Sequence, residues 1–199
     1  MILSTKGNEI FINLNEAEYD RVMKMLENAI LATDLALYFR YRGEFFNMVE
    51  CGQTTWDDEE NRNLLRSMMM TACDVSAITK PWEVQQKVAD LIANEFFEQG
   101  DLEKTELNIN PIDMMNRDKK DELPTMQVGF IDSICLPVYQ AFARMNGKLK
   151  PLLQGCRENR HNSVHVSHQH SKNQQDQQDR ENHNKDARET PGQRGGHRR

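Results

Sequence analysis

Histidine is missing from the first 160 residues of this 199-residue chain; all six, from His161 to His197, lie beyond that point. Cysteine is sparse as well. Cys51, Cys73, Cys135 and Cys156 are widely spaced, with no CxxC pair and no zinc-binding spacing, and Cys73 and Cys135 stand in apolar stretches where a free thiol behaves as a small hydrophobe. No run of about 18 uncharged apolar residues occurs, so a membrane-spanning helix is not expected. The opening MILSTKGNEIF has neither the basic flank nor the apolar core of a signal peptide, and the closing GGHRR carries no prenylation box. A cytoplasmic protein is expected. An excess of basic charge is also lacking: residues 1–160 hold 18 basic and 26 acidic side chains, net −8, against 7 and 5, net +2, in residues 161–199. An acidic body argues against nucleic acid as a partner, because phosphate binding relies on clustered Lys and Arg. It leaves room for a small phosphate ester held through metals.

Alternating strand patterns and internal repeats are absent, and what is present reads as helix, giving an all-α class. Asn15 followed by Glu18 suggests a capping box, after which Val22, Met25, Leu26, Ala29 and Ile30 recur at helical spacing. This helical stretch is expected over residues 15–50. From Ala29 to Phe39 it turns apolar nearly all round, interrupted by Thr33 and Asp34, as in a helix buried within a larger assembly. A second helix is expected from Asp58 to about Cys73, and a third from Pro81 to Gln99, stopped by Gly100. Residues 101–123 read as a charged loop with a short apolar turn at Ile112–Met115. A last long helix should begin near Pro124 and pass Phe142, kinked or interrupted at Pro137 for want of a backbone donor. Beyond Arg157 the composition turns to His, Gln and Asn, with almost nothing to bury against the entropy of ordering; residues 158–199 are expected to be a disordered tail after a body of residues 1–157. Within it, the spacing of His165, His168 and His170 could catch a transition metal loosely.

The most informative stretch is MMMTACDVSAITKPW, residues 68–82, which sets Asp74 inside an otherwise apolar run. A carboxylate buried there would need a metal, a base or a helix N-terminus beside it. The alternative is that Asp74, Ser76 or Thr79 caps the helix opened by Pro81. On that helix Gln85, Ala89, Ile92 and Phe96 fall on one face, either a core stripe or one wall of a site. Gln127 and Phe130, three apart on the last helix, project an amide beside a ring. From spacing alone they read equally as a surface Gln next to a core Phe.

Four segments in order, ILATDLALY (30–38), TACDVSAITKPW (71–82), EFFEQGDLEK (95–104) and MNRDKKDELPTMQVGFIDSIC (115–135), resemble the C-terminal half of the catalytic domain of class I 3′,5′-cyclic nucleotide phosphodiesterases. The likeness covers roughly residues 1–160. It is nearest to the cGMP-hydrolysing branch, types 5, 6 and 11, with an invertebrate type 11 or type 6 enzyme favoured.

The resemblance implies a multi-helix domain that hydrolyses cGMP, and also cAMP in dual-specificity relatives, to 5′-monophosphates in signal transduction. In that family two His and two Asp hold a first metal, usually zinc, and one of those Asp with waters holds a second, usually magnesium or else manganese. Asp74 matches one of the two Asp; the two His, the other Asp and the general-acid His have no counterpart in this sequence. The chain therefore reads as a fragment, a truncated gene product or a short isoform, and its own turnover is in question. By the same likeness Gln127 would meet the purine edge, with Phe130 and Ile92 on the two faces of the ring. Gln85 would hold the Gln127 amide. Leu35, Val75, Ala77, Ile78, Ala89, Ala93, Phe96, Phe97, Met114 and Met126 would line the pocket. Thr33 matches a Thr that bonds water on the second metal; its alternative is a hydroxyl bonded back to its own helix. A homodimer is a further partner arrangement in keeping with the family. The competing function is a non-catalytic product that binds nucleotide or partner subunits without hydrolysis.

Overall fold

A computed structural model describes residues 2–52 and 55–189, and among these only helices and turns occur. Seven α-helices follow in order: α1 Glu16–Leu31, α2 Leu35–Cys51, α3 Glu59–Asp74, α4 Trp82–Glu106, α5 Leu123–Phe130, α6 Leu136–Met145 and α7 Lys150–Glu189. No described helix is long and apolar enough to cross a membrane. The described residues fall into two compact units, one of the chain up to Gln85 together with Ser133–Cys156, the other of Gln86–Asp132 together with the chain from Arg157.

The first unit begins as its sequence dictates. Asn15 Oδ1 accepts from the Glu18 amide at 3.0 Å and Glu18 Oε2 accepts from the Asn15 amide at 3.1 Å, a complete capping box. The helical stretch 15–50 is then two helices, because Asp34 caps a new one: its carboxylate accepts from the Ala36 amide at 2.9 Å. Within this chain the apolar run of residues 29–39, expected to be buried in a larger assembly, is buried only in part. Ala32 and Tyr38 are buried, whereas Ile30 is 69% exposed and Phe39 47% exposed, since the turn at 32–34 rotates the two apolar runs apart. α3 starts at its own cap, Asp58, whose carboxylate accepts from the Glu60 amide at 3.1 Å. The core of this unit joins Tyr38 and Phe45 of α2, Leu64 and Met68 of α3, and Val138 and Phe142 of α6, with the Phe45 and Phe142 rings 5.4 Å apart.

Pro137 interrupts the helix that follows α5, as expected. A π-helical turn, Ile131–Cys135, separates α5 from α6. The Ser133 carbonyl, four residues before the proline, cannot receive the amide hydrogen that Pro137 lacks. It accepts instead from Arg42 Nη1 at 3.1 Å and from the Tyr38 hydroxyl at 3.4 Å.

In the second unit α4 runs through Gly100 and ends at Glu106, correcting the expected stop. A methyl group at Gly100 would lie 2.1 Å from the Met115 carbonyl oxygen, so the glycine serves a close backbone approach rather than a cap. The helix stops at Asn108, in the left-handed region at φ 56°, with the Ile109 amide reaching back to the Glu103 carbonyl at 3.1 Å. That is the bond pattern of a left-handed helix terminus. The charged segment after it forms 3₁₀ turns at Asp113–Met115 and Arg117–Glu122. They are tied to α4 by Arg117 on Asp101 (2.8 Å) and by Lys104 on Asp118 (2.8 Å) and Asn116 (2.8 Å).

The segment from residue 158, expected to lack order, continues α7 as a helix to Glu189, and residues 190–199 of the expected tail lie outside the described residues. Among the described side chains of this helix, Cys156, Asn159, Ser163 and Ser167 are buried. Those side chains are small enough, and spaced closely enough to helical period, to make a narrow packed stripe; the described side chains from Lys172 onward are exposed.

Candidate functional site

Asp74 is the last residue of α3 and is exposed. The expected burial is thus corrected. The buried face of α3 carries Leu64, Met68 and Thr71, and Asp74, three residues beyond Thr71, projects with Cys73 toward solvent where the helix ends. It also does not cap α4, which begins eight residues later at Trp82. Its place is fixed by α6: the buried Tyr139 hydroxyl donates to the Ala72 carbonyl at 2.5 Å. Between Asp74 and α4, Ser76–Thr79 makes a 3₁₀ turn that buries Ile78, and Thr79 Oγ1 donates to the Ser76 carbonyl at 2.8 Å.

Thr33 lies in the turn between α1 and α2, exposed, and its hydroxyl donates to the Ile30 carbonyl at 2.8 Å. That is the local bond weighed as the alternative to a water-holding role. Leu35 opens α2 and is half-buried. Gln85, in the first turn of α4, has its side-chain oxygen buried with no hydrogen-bond partner among the described residues. An acceptor so placed is costly to leave unmet. Thr33, Leu35, Asp74 and Gln85 all belong to the first unit.

The second unit carries Ala89, Ile92 and Phe96 on α4 and Met126, Gln127 and Phe130 on α5. The stripe of α4 is displaced from its expected position: Ala93 and Phe97 are buried, while Ile92 is 44% exposed and Ala89 and Phe96 are half-buried. Arg117 stacks over the Phe97 ring at 5.2 Å, which orients the helix at that turn. Met126, Gln127 and Phe130 are all half-buried, on a helix held at both ends against α7. The Thr125 and Ser167 hydroxyls lie 2.9 Å apart, and Arg160 grips Asp132, with Nη2 to Oδ2 at 2.7 Å. The guanidinium holds the Asp132 carboxyl below the usual carboxylate range, and the carboxylate in turn raises Arg160. An amide and a ring are thereby presented side by side from a short helix that cannot rotate freely. Such a pair can offer a donor, an acceptor and a stacking face to a planar heterocycle.

The donor set does not fit a two-metal centre. Among the described residues no group of three or more His, Cys, Asp or Glu is arranged to hold a metal ion, and catalytic zinc sites use about three protein ligands. Asp74 alone would supply one oxygen.

One cavity escaped the sequence reading. In the first unit an open cleft of about 520 Å³ is lined by Met25, Ala29, Leu37, Met69, Met70 and neighbouring side chains of α1, α2 and α3. None of the site residues expected from sequence lines it. The Met and Leu content of α1 and α3 was the available signal, and it reads as ordinary core.

With this geometry in hand, comparison with known proteins is informative. Residues 1–156 match the family described as 3′5′-cyclic nucleotide phosphodiesterase. The chain is 61% identical, over 160 residues, to the dual 3′,5′-cyclic-AMP and -GMP phosphodiesterase 11 of Drosophila melanogaster, an alignment covering 80% of this chain and 11% of that protein. It is 57% identical over 162 residues to the cGMP-specific 3′,5′-cyclic phosphodiesterases of Drosophila melanogaster and Drosophila virilis, covering 81% of this chain and 14% and 18% of theirs. The chain thus spans less than a fifth of the length of these relatives. The likenesses agree with the cGMP-hydrolysing branch and the type 11 character that the four motifs suggested.

Proposed function

Since the chain belongs to the 3′5′-cyclic nucleotide phosphodiesterase family, we propose that it serves the hydrolysis of 3′,5′-cyclic nucleotides, cGMP foremost and cAMP as well, to 5′-monophosphates. The observation that carries this reading is 61% identity, sustained over 160 residues, to a phosphodiesterase named for both nucleotides. In this proposal α5 recognises the base. The Gln127 amide pairs with the purine edge, O6 and N1 of guanine or, flipped, N6 and N1 of adenine, and Phe130 stacks on the ring. Met126, Ala89, Ile92 and Phe96 of the same unit supply apolar contact. Asp74 would supply one oxygen to a divalent metal, zinc with magnesium or manganese in the second place, and the remaining ligands would have to come from outside the described residues.

A second reading is favoured by that single carboxylate: a non-catalytic chain that binds nucleotide, partner subunits or a second copy of itself without hydrolysis. One experiment separates the two. Purified chain is assayed with labelled cGMP and cAMP in the presence of zinc and magnesium, and cGMP binding is titrated in parallel for the parent, Asp74→Ala, Gln127→Ala and Phe130→Ala. Turnover abolished by Asp74→Ala supports the enzyme. Binding that weakens at least tenfold in Gln127→Ala and Phe130→Ala, without turnover in any variant, supports the binding module. Neither turnover nor nucleotide binding by folded protein overturns both.

A further inference from the structure

We propose that His161 and His165 of α7 form a binding site for one divalent late transition-metal cation, of the Cu²⁺ and Zn²⁺ class. The two are four residues apart, so their side chains stand on successive turns of one helix face. Their Nε2 atoms are 3.0 Å apart, with ring centroids at 4.5 Å and planes at 81°. Imidazole nitrogens bind such cations at about 2.0–2.1 Å, so two of them held at square to tetrahedral angles stand roughly 2.9–3.4 Å apart. The observed separation already lies in that interval. In the metal-free protein one Nε2 donates to the other, which requires that at least one ring be neutral with a free lone pair. For a cation to take both Nε2 lone pairs, the donating ring carries its proton on Nδ1 instead, and any proton beyond that goes to solvent.

The surroundings favour binding. Both rings are exposed, leaving room for water to complete the coordination shell. The opposite side of the same turns is anchored: Asn159, Ser163 and Ser167 are buried, Ser163 Oγ donates to the Asn159 carbonyl at 2.8 Å, and Arg160 is paired with Asp132. The backbone that carries the pair is therefore fixed before a metal arrives, which lowers the entropy cost of chelation. The grouping of His165, His168 and His170 suggested by spacing is not the one the structure assembles, since His170 Nε2 lies 3.8 Å from Asp121 Oδ1. A cation bound at residues 161 and 165 would clip one turn of α7 and stabilise the helix by linkage.

The test uses Cu²⁺, which binds nitrogen sites most tightly among these cations. The full chain is titrated by calorimetry, and the bound ion is examined by electron paramagnetic resonance. One equivalent bound at micromolar free Cu²⁺, with the signature of two imidazole nitrogens, is expected. His161→Gln and His165→Gln should each weaken it at least tenfold, with helix content by circular dichroism unchanged. A variant with His168, His170, His183 and His197 all changed to Gln should bind like the parent. Unchanged affinity in both single variants, loss of binding in the fourfold variant, or no binding by the parent would each overturn the proposal.

Discussion

The Tyr139 hydroxyl donates to the main-chain carbonyl of Ala72 at 2.5 Å, joining α6 to the last turn of α3 two residues before Asp74. Carbonyls in the last turn of a helix have no donor within it, so Tyr139 serves a group that would otherwise be unmet. Burial, with the nearby thiols of Cys135, Cys156 and Cys73, pushes the phenol pKa up, so it remains a donor through the alkaline range. Tyr139→Phe leaves the part-buried carbonyl without this donor, and a loss of about 1–3 kcal/mol is expected in urea unfolding. A loss within error of zero would mean that water replaces the hydroxyl.

Glycine-to-alanine changes should split by position. At Gly155 a methyl carbon would lie 2.4 Å from the Thr79 carbonyl oxygen, and at Gly100 2.1 Å from that of Met115, whereas at Gly43 nothing lies within 4 Å. Alanine is favoured over glycine in a helix by about 1 kcal/mol, so Gly43→Ala should raise stability by up to that amount. Backbone atoms cannot yield as a flexible side chain does, and Gly155→Ala and Gly100→Ala should instead lose about 1–3 kcal/mol. Thermal melts of the three variants side by side test the contrast, and equal shifts in all three would refute it.

Asp132 and Arg160 give the clearest expectation for pH. The side-chain hydrogen bond from Arg160 is the main cause of the lowered Asp132 pKa, and desolvation opposes it. A carboxyl whose pKa is lower folded than unfolded adds stability above its unfolded value, about 3.9. That contribution is lost as pH falls through the folded value. The stability gap between the parent and Asp132→Asn should therefore be flat from neutral pH to about pH 5 and close below about pH 4. Because both side chains are more than a third exposed, the gap is small and shrinks with added salt. A gap that widens on acidification would reverse the assigned sign.

Much of this architecture was legible in the sequence because its signals are local. The Asn15–Glu18 box and the break before Pro137 each depend on residues within a turn or two. The family was legible for a different reason, since four spaced segments match together. What failed was decided by distant partners. Gly100 reads as a helix stop until Met115 is seen to approach it; Asp34 is the local exception, read as an interruption although it caps a new helix two residues on. Asp74 reads as buried because the run around it is apolar, but a run says nothing of which way a helix end points. Spacing put Gln127 and Phe130 on one helix, yet the hydroxyl pair and ion pair that hold that helix on α7 come from residues 42 and 28 positions along the chain.

The far half of α7 offers the sharpest test of composition against continuity. From Lys172 the sequence is rich in Gln, Asn, Asp and Arg and holds no apolar residue before Ala187. Helices without a packed face are marginal in water even when their residues favour the helix, because nucleation is costly and ends fray. The composition argues for a segment that does not stay ordered, although the turns up to Ser167 are held by burial and by the Thr125 and Asp132 contacts. We expect amide hydrogen exchange to be slow at residues 159–167 and nearly unprotected at residues 172–189, with the change falling within about two turns of Ser171. Saturating Cu²⁺ should slow exchange around residues 161–169 and leave residues 176–189 as fast as before. Strong protection across residues 172–189 without metal would show that helical continuity, rather than buried area, governs this end of the chain.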